Sequence, residues 1–281
     1  MDHESQPLSH PSSQTFEPGL PADRHRLIQA LLPVMASAGR CILDIYGTDF
    51  SVRGKADESP VTLADEAAEA IILAALRKLT PDIPIIAEEQ AAAGHIPDIG
   101  DYFWLVDPLD GTKEFISRNG EFTVNIGLIE HHKPVLGLVL APAIGRIFFG
   151  AHGTGAFSGQ FDGVNIDPAY SAIHARQPPD KGAIALASRS HRDAATEALI
   201  TAEGIEHFKA AGSSLKFCLL ACGEADFYPR TGPTMEWDTA AGHAVLVSAG
   251  GQMHNLDGSI FAYGKPGFKN PGFIARGLVR D

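Results

Sequence analysis

Cysteine is scarce in this chain: Cys41, Cys218 and Cys222 are the only three in 281 residues. Three thiols make no disulfide framework. Cys218 and Cys222 could share a helix face, but two thiolates alone form a poor zinc site. The spacing fits buried free thiols in a reducing cytoplasm. Also lacking is any apolar run long and unbroken enough to cross a bilayer, which argues against an integral membrane segment. The opening residues, MDHESQPLSHPSSQ, have neither the basic start nor the apolar core of a secretory signal. Residues 1–21 read as a polar, flexible tail. Positive charge is in deficit too, with 22 Lys and Arg against 34 Asp and Glu and a net charge of −12. That balance argues against duplex nucleic acid or an anionic membrane surface as the main partner. It would also repel any phosphorylated small molecule unless bound cations or local Lys and Arg groups invert the field.

What remains is ample for a core: 44% hydrophobic and 20% charged residues, in a length that suits one large domain or two ordinary ones. From Asp23 to Tyr46, Leu27, Leu31, Val34, Met35, Ala38 and Ile42 recur at helical spacing, with Pro33 predicting a kink or break. A second helix is expected to open at Thr62, where Thr62-x-x-Asp65 resembles a capping box, and to stop at Pro81. Ile83–Ala87 and Phe103–Val106 are continuously apolar and read as buried strands. Phe122–Ile129, Pro134–Leu140 and Arg146–Gly150 follow, with His131-His132-Lys133 as a hairpin turn. Beyond residue 160 strands and helices alternate: strand Ala183–Ala187, helix Asp193–Glu203, strand His207–Ala210, helix Leu215–Cys222, strand Asp226–Tyr228 and helix Thr239–Ala249. This predicts an α/β (α+β) chain of two lobes, 22–160 and 161–281, joined through a linker-like stretch near residues 155–180.

The hexapeptide Asp107-Pro108-Leu109-Asp110-Gly111-Thr112 begins where the apolar strand ends. Its proline fixes one dihedral, so both acids can turn toward one point, and Gly111 and Thr112 offer backbone N–H groups at the start of a short helix, Lys113–Ser117. Glu88-Glu89, just past the preceding strand, would reach the same edge of the sheet, and Asp238 at a helix head adds another acid. Hard cations such as Mg²⁺ take oxygen ligands of this kind. Singly, each piece is more often a turn or a helix cap. Three such pieces in this order point to a site.

With these motifs on the page, the chain resembles the inositol monophosphatase superfamily of metal-dependent, lithium-sensitive phosphatases. The matching segments are Lys55-Ala-Asp-Glu-Ser-Pro-Val-Thr-Leu-Ala-Asp65, Glu88-Glu89, Trp104 through Ile129, Gly212-Ser-Ser-Leu-Lys216, Glu236-Trp-Asp-Thr-Ala-Ala-Gly242 and Phe268-Lys-Asn-Pro-Gly-Phe273. The run from Asp110 to Ile126, with Ser59-Pro-Val-Thr62 upstream, narrows the likeness to the bisphosphate nucleotidase branch of CysQ type. That resemblance implies a layered αβαβα sandwich with its site between the lobes. It implies one Mg²⁺ held by Glu88, Asp107 and the Leu109 carbonyl, and a second by Asp107, Asp110 and Asp238, with a third near Glu88 and Glu89 left open. Asp65 and Thr112 would orient and deprotonate the attacking water, and Gly111, Thr112, His191, Ser213, Lys216 and Arg230 would contact the substrate. For His191 an ordinary surface loop is an equal reading. The implied reaction is hydrolysis of adenosine 3′,5′-bisphosphate (PAP) to AMP and phosphate within sulfur assimilation, with the sulfate donor PAPS as a second candidate substrate. An inositol monophosphatase or a fructose-bisphosphatase-like sugar phosphatase is the alternative, and a non-catalytic nucleotide and metal sensor a third. The implied place is cytoplasmic, at most peripheral at the inner membrane. Oligomeric state and the role of the N-terminal tail stay open.

Overall fold

A computed structural model describes residues 21–48, 60–187 and 193–278. His191 and the segment Lys55–Ser59 lie outside the described residues. Helices α1 (Pro21–Tyr46) and α2 (Pro60–Leu79) pair over a seven-stranded sheet. Its strands run in chain order: β1 (Ile85–Ala87), β2 (Tyr102–Asp110), β3 (Thr123–Glu130), β4 (Lys133–Ala141), β5 (Arg146–Ala151), β6 (Gly155–Gln160) and β7 (Ser171–Ile173). Two one-turn helices, α3 (Glu88–Ala92) and α4 (Thr112–Ile116), follow β1 and β2. The rest of the chain supplies β8 (Ile184–Ala187), α5 (Ala194–Ala202), β9 (His207–Ala210), α6 (Leu215–Ala221), β10 (Phe227–Arg230), β11 (Thr234–Met235), α7 (Trp237–Ser248), β12 (Gln252–Asn255), β13 (Lys269–Asn270) and β14 (Phe273–Arg276). The second sheet has the order β12-β14-β10-β8-β9, and β11 pairs with β13 apart from it.

The two-residue period of the strands divides the apolar side chains among three cores. Trp104, Val106, Val124, Ile126, Leu138 and Phe149 point to α1 and α2 and join Leu27, Leu31, Met35, Ile72 and Leu76. Their neighbours Phe103, Leu105, Val139 and Phe148 point the other way, to α6 and α7, where Phe217, Leu220, Val245 and Leu246 meet Leu186, Tyr228 and Phe273 of the second sheet. On the far face of that sheet Ala185 and Phe227 pack against Ile200 of α5. The layers are therefore helix, sheet, helix, sheet, helix, the sandwich that the family resemblance implied.

Several local expectations need correction. Pro33 does not break α1, which runs through it; Pro33 is exposed, so the carbonyl it leaves unbonded one turn earlier can meet water. Asp23 sits in the first turn of α1, bonded to Arg26. Likewise α2 begins at Pro60, so Thr62 and Asp65 lie inside the helix and form no capping box. Gly155–Ile173, read as part of a linker, contains β6 and β7 of the first sheet. By length and mean hydropathy α1 alone among the described helices could cross a membrane. Its apolar stripe is spent on the core, however, with Leu27, Leu31, Met35 and Ile42 fully buried.

Helix α7 lies unusually close to the first sheet because two paired glycines, Gly127 of β3 and Gly137 of β4, sit beneath it. A Cβ at Gly137 would come within 2.2 Å of the Ala241 carbonyl oxygen, and one at Gly127 within 2.9 Å of the Ala241 nitrogen. Both obstacles are backbone, so neither can swing aside. Gly137→Ala is expected to cost about 2–3 kcal/mol of stability by pushing α7 off the sheet, measured by urea denaturation.

Candidate active site

Parallel pairing of β1 with β2 sets Ala87 opposite Val106, so Glu88, just past the end of β1, comes beside Asp107 of β2. The hexapeptide does not end β2, as the sequence reading had it. The strand continues to Asp110 with a shift in its register against β3 between Asp107 and Asp110. Asp107 stabilises that irregularity itself, its Oδ1 accepting the Leu109 N–H at 3.0 Å. Gly111 then turns the chain into α4 with a φ of 101°, and a Cβ there would fall 2.3 Å from Ser213 Oγ. Only glycine fits both demands.

The Gly212-Ser213-Ser214 turn clamps this loop from the α6 side. Gly212 N–H donates to Glu121 Oε2 at 2.9 Å. The Ser213 hydroxyl is shared between the Asp110 and Glu121 carbonyls, 2.8 Å from each. Ser214 N–H donates to Asp110 Oδ2 at 2.6 Å. Behind it the Ser214 hydroxyl contacts Asn125 Oδ1 at 2.5 Å and Thr123 Oγ1 at 2.9 Å, all three residues being buried. Asp238, in the first turn of α7, accepts the Met235 N–H at 2.8 Å. Asp65, buried on α2, has an Oδ1 with no hydrogen-bond partner.

These acids feel one another. Asp107 is held well above the carboxylate range by burial and then by Glu88, Asp110, Asp238 and Asp65. Burial, followed by repulsion from Glu88 and Glu89, pushes Asp65 up to about 8. Glu88 rises to about 7 through burial, against a hydrogen bond with Asp107 that works the other way. Asp110 rises to about 7 through burial and Asp238, opposed by Lys216 and the Ser214 N–H. Burial also takes Asp238 up to about 6. Lys216 is buried as well and is lowered to about 8 despite Asp110.

Asp110 and Asp238 line a cleft of about 220 Å³ together with Gly111, Thr112, Ser213, Lys216 and Arg230. Asp65, Glu88 and Asp107 are not among its lining residues and act on it through charge. The Leu109 side chain is buried in the core under α1 and α2. A larger cavity of about 680 Å³ opens at the N-terminal ends of β8 and β10, but of the four acids lining it Glu203 and Asp226 are ion-paired with Arg276 and Arg176. Chemistry favours the smaller cleft. Among the described residues no three acidic, histidine or cysteine side chains close into a tight metal cage. The donor set nevertheless suits a hard divalent cation: oxygen ligands only, an orphaned buried carboxylate oxygen on Asp65, and mutual repulsion that a cation would relieve.

Sequence reasoning missed Glu121, Thr123, Asn125, Ser214 and Tyr228. The first four lie within motifs already singled out, yet nothing in the pattern tells a ligand from the residue that holds it. Tyr228, whose ring lies 5.2 Å beneath the Lys216 ammonium, read as part of an apolar strand. Lys113 lines the cleft, whereas Arg118 is turned away onto the Tyr46 ring and the Tyr46 carbonyl. Cys218 packs in the core as expected.

The chain belongs to the inositol monophosphatase family, whose pattern it matches over residues 23–277. It is 43% identical over 250 residues to the 3′(2′),5′-bisphosphate nucleotidase CysQ of Escherichia coli, covering 88% of this chain and 98% of that protein. The protein of the same name from Buchnera aphidicola is 38% identical, with 90% and 94% covered. The crystal structure of CysQ from Bacteroides thetaiotaomicron superposes with a TM-score of 0.78 at 37% identity, over 91% of this chain and 98% of that one. An inositol monophosphatase from Zymomonas mobilis shares the fold at a TM-score of 0.74 and 24% identity, with 90% and 93% covered.

Because the folded-state values of Asp65, Glu88, Asp110 and Asp238 are raised, the native state binds more protons than the unfolded chain between about pH 4 and about pH 8. Stability without divalent ions should therefore fall as pH rises through that window. Thermal melts in chelator from about pH 5 to about pH 8.5 are expected to show a declining Tm, and added Mg²⁺ should raise Tm most at the alkaline end.

Proposed function

We propose that this chain is a Mg²⁺-dependent phosphatase that hydrolyses PAP to AMP and phosphate. The observation that carries the reading is one small cleft lined both by the acids Asp110 and Asp238 and by the cations Lys216 and Arg230. The relatives supply the nucleotide, since they are named bisphosphate nucleotidases.

In this reading Glu88, Asp107 and the Leu109 carbonyl would hold one Mg²⁺, and Asp107, Asp110 and Asp238 a second. A third near Glu88 and Glu89 is a matter for metal counting. When bound, the ions would lower the pKa of a water and neutralise charge on the phosphate. Asp65 and Thr112 would orient that water, and Asp65, ionised once cations offset the neighbouring acids, would accept its proton. Support for Asp65 comes from its buried, unpartnered Oδ1, which has an open lone pair and no competing donor. Gly111 and Thr112 contribute backbone N–H groups to the scissile phosphate. Ser213 contributes through its backbone or a hydroxyl lone pair, because its single proton is already shared by two carbonyls.

Lys216 and Arg230 bind the second phosphate. Two of the three ammonium protons of Lys216 go to the Ala211 and Ser213 carbonyls, at 3.2 and 2.7 Å, which leaves one for a ligand. Arg230 Nε is buried without a partner. A monophosphate would leave both cations unpaired. His191 completes the contact set in this proposal. PAPS as a second substrate, inhibition by lithium and a cytoplasmic role in sulfur assimilation belong to the same reading.

Phosphate release from PAP, PAPS, inositol monophosphate and fructose bisphosphate, in Mg²⁺ with and without lithium, tests it. PAP should be cleaved best, and lithium should inhibit. Preference for a sugar phosphate would move the chain to another branch of the family, and tight PAP binding without turnover would make it a sensor. Asp110→Asn should lose several kcal/mol of transition-state stabilisation, on the order of a thousandfold in kcat, with an unchanged circular dichroism spectrum. Lys216→Met should raise KM for PAP more than for a monophosphate; equal losses on both would remove the second-phosphate pocket.

A further inference from the structure

A second cavity, about 410 Å³, lies between α7 and the ends of β4 and β5, and it shares no lining residue with the acidic cleft. Val135, Val247, Met253 and Phe261 form apolar walls, and Lys133 is the only Lys, Arg, Asp or Glu among the described residues around it. Of the polar side chains lining it, His152 and Ser248 among them, one is buried. His243, 5% exposed, lines the cavity from α7.

The hydrogen bonds around His243 fix which nitrogen is available. Its Nδ1 lies 3.0 Å from the Tyr263 hydroxyl, which lies 3.3 Å from Thr239 Oγ1. Thr239 spends its own proton on the Glu236 carbonyl. Every contact then has a proton only if His243 Nδ1–H donates to Tyr263 and Tyr263 donates to Thr239. The opposite order leaves the Tyr263–Thr239 contact empty. Nε2 is thereby a bare acceptor, and no donor to it is seen among the described residues. Burial, with His254 and Lys265 nearby, pushes the ring down to about 3, so it stays neutral and keeps that lone pair.

We propose that this cavity is a binding site for a small, flat, neutral molecule carrying one hydrogen-bond donor, of the indole or phenol class, with the donor on His243 Nε2. A flat ring suits walls made of Phe261, Met253 and the imidazole itself, since aromatic and sulfur contacts both favour a π-face or ring edge. The volume lies in the range of small-molecule pockets. A charged ligand finds no buried counter-ion there. The site does not depend on the phosphatase reading.

Indole and N-methylindole, which differ by the single donor, decide the matter. The full chain is titrated with each by calorimetry and by heteronuclear NMR of the His243 imidazole. Indole should bind and shift the His243 resonances, and N-methylindole should bind about fivefold more weakly. In His243→Phe that difference should vanish. Val247→Trp, at a rim position 41% exposed, should block both ligands without unfolding the chain, and so keeps the test open if His243→Phe fails to fold. Equal affinity for the two ligands, an unmoved His243, or undiminished indole binding in Val247→Trp would overturn the assignment. None of these readouts uses catalysis.

Discussion

The acids around Asp107 repel one another, and the fold has to hold them together against that repulsion. It does so with backbone donors, helped by the charge of Lys216 beside Asp110 and of Arg230 beside Asp238. Leu109 N–H bonds to Asp107, Ser214 N–H to Asp110 and Met235 N–H to Asp238. These donors cannot rotate away, and each belongs to a different segment. Assembling the cluster therefore requires the β2 bulge, the start of α6 and the ribbon before α7 to be in place at once. Repulsion that remains after those bonds is what a bound divalent ion would relieve.

Much of the layered architecture bears on that requirement. Asp238 opens α7, and α7 can reach Asp107 only because Gly127 and Gly137 let the helix lie against the sheet. Close approach continues on the other side, where a Cβ on Gly242 would fall 2.6 Å from the Phe217 ring of α6. Sheet, α7 and α6 thus form one tightly spaced stack, and the two helices that carry Asp238 and Lys216 are registered to the sheet that carries Asp107 and Asp110. Glu236 adds a further anchor. Fully buried, it accepts the N–H groups of Gly264 and Lys265 at 2.7 and 2.9 Å and pairs with the Lys265 ammonium.

The acidic residues and the strands that carry them were legible in the sequence because chemistry and period coincide there: apolar runs, then Glu88, Asp107 or Asp110. Helix ends were less so. Thr62 and Asp65 mimic a capping box, but Asp65 faces the other acids from inside α2, and a side chain used for a site cannot also close a helix end. Pro33 looked like a break because sequence spacing does not say which face of a helix is wet. The supporting groups Ser214, Asn125 and Glu121 were invisible for another reason. Their roles depend on contacts across 89 to 104 positions, and local pattern carries no information at that range.

The outermost core, between the second sheet and α5, is thin. Among the described residues only Ala185, Ile200 and Phe227 form its fully buried part, and β9 beside it exposes all four of its side chains. So little buried apolar area gives α5 and β9 a shallow free-energy well compared with α7, whose flanks are covered on both sides. Amide exchange in residues 194–210 should consequently proceed through openings that leave the acid cluster assembled. Breathing at that edge is thermodynamically separable from the chemistry, and a change in the outer layer can soften the molecule without touching its reactive centre.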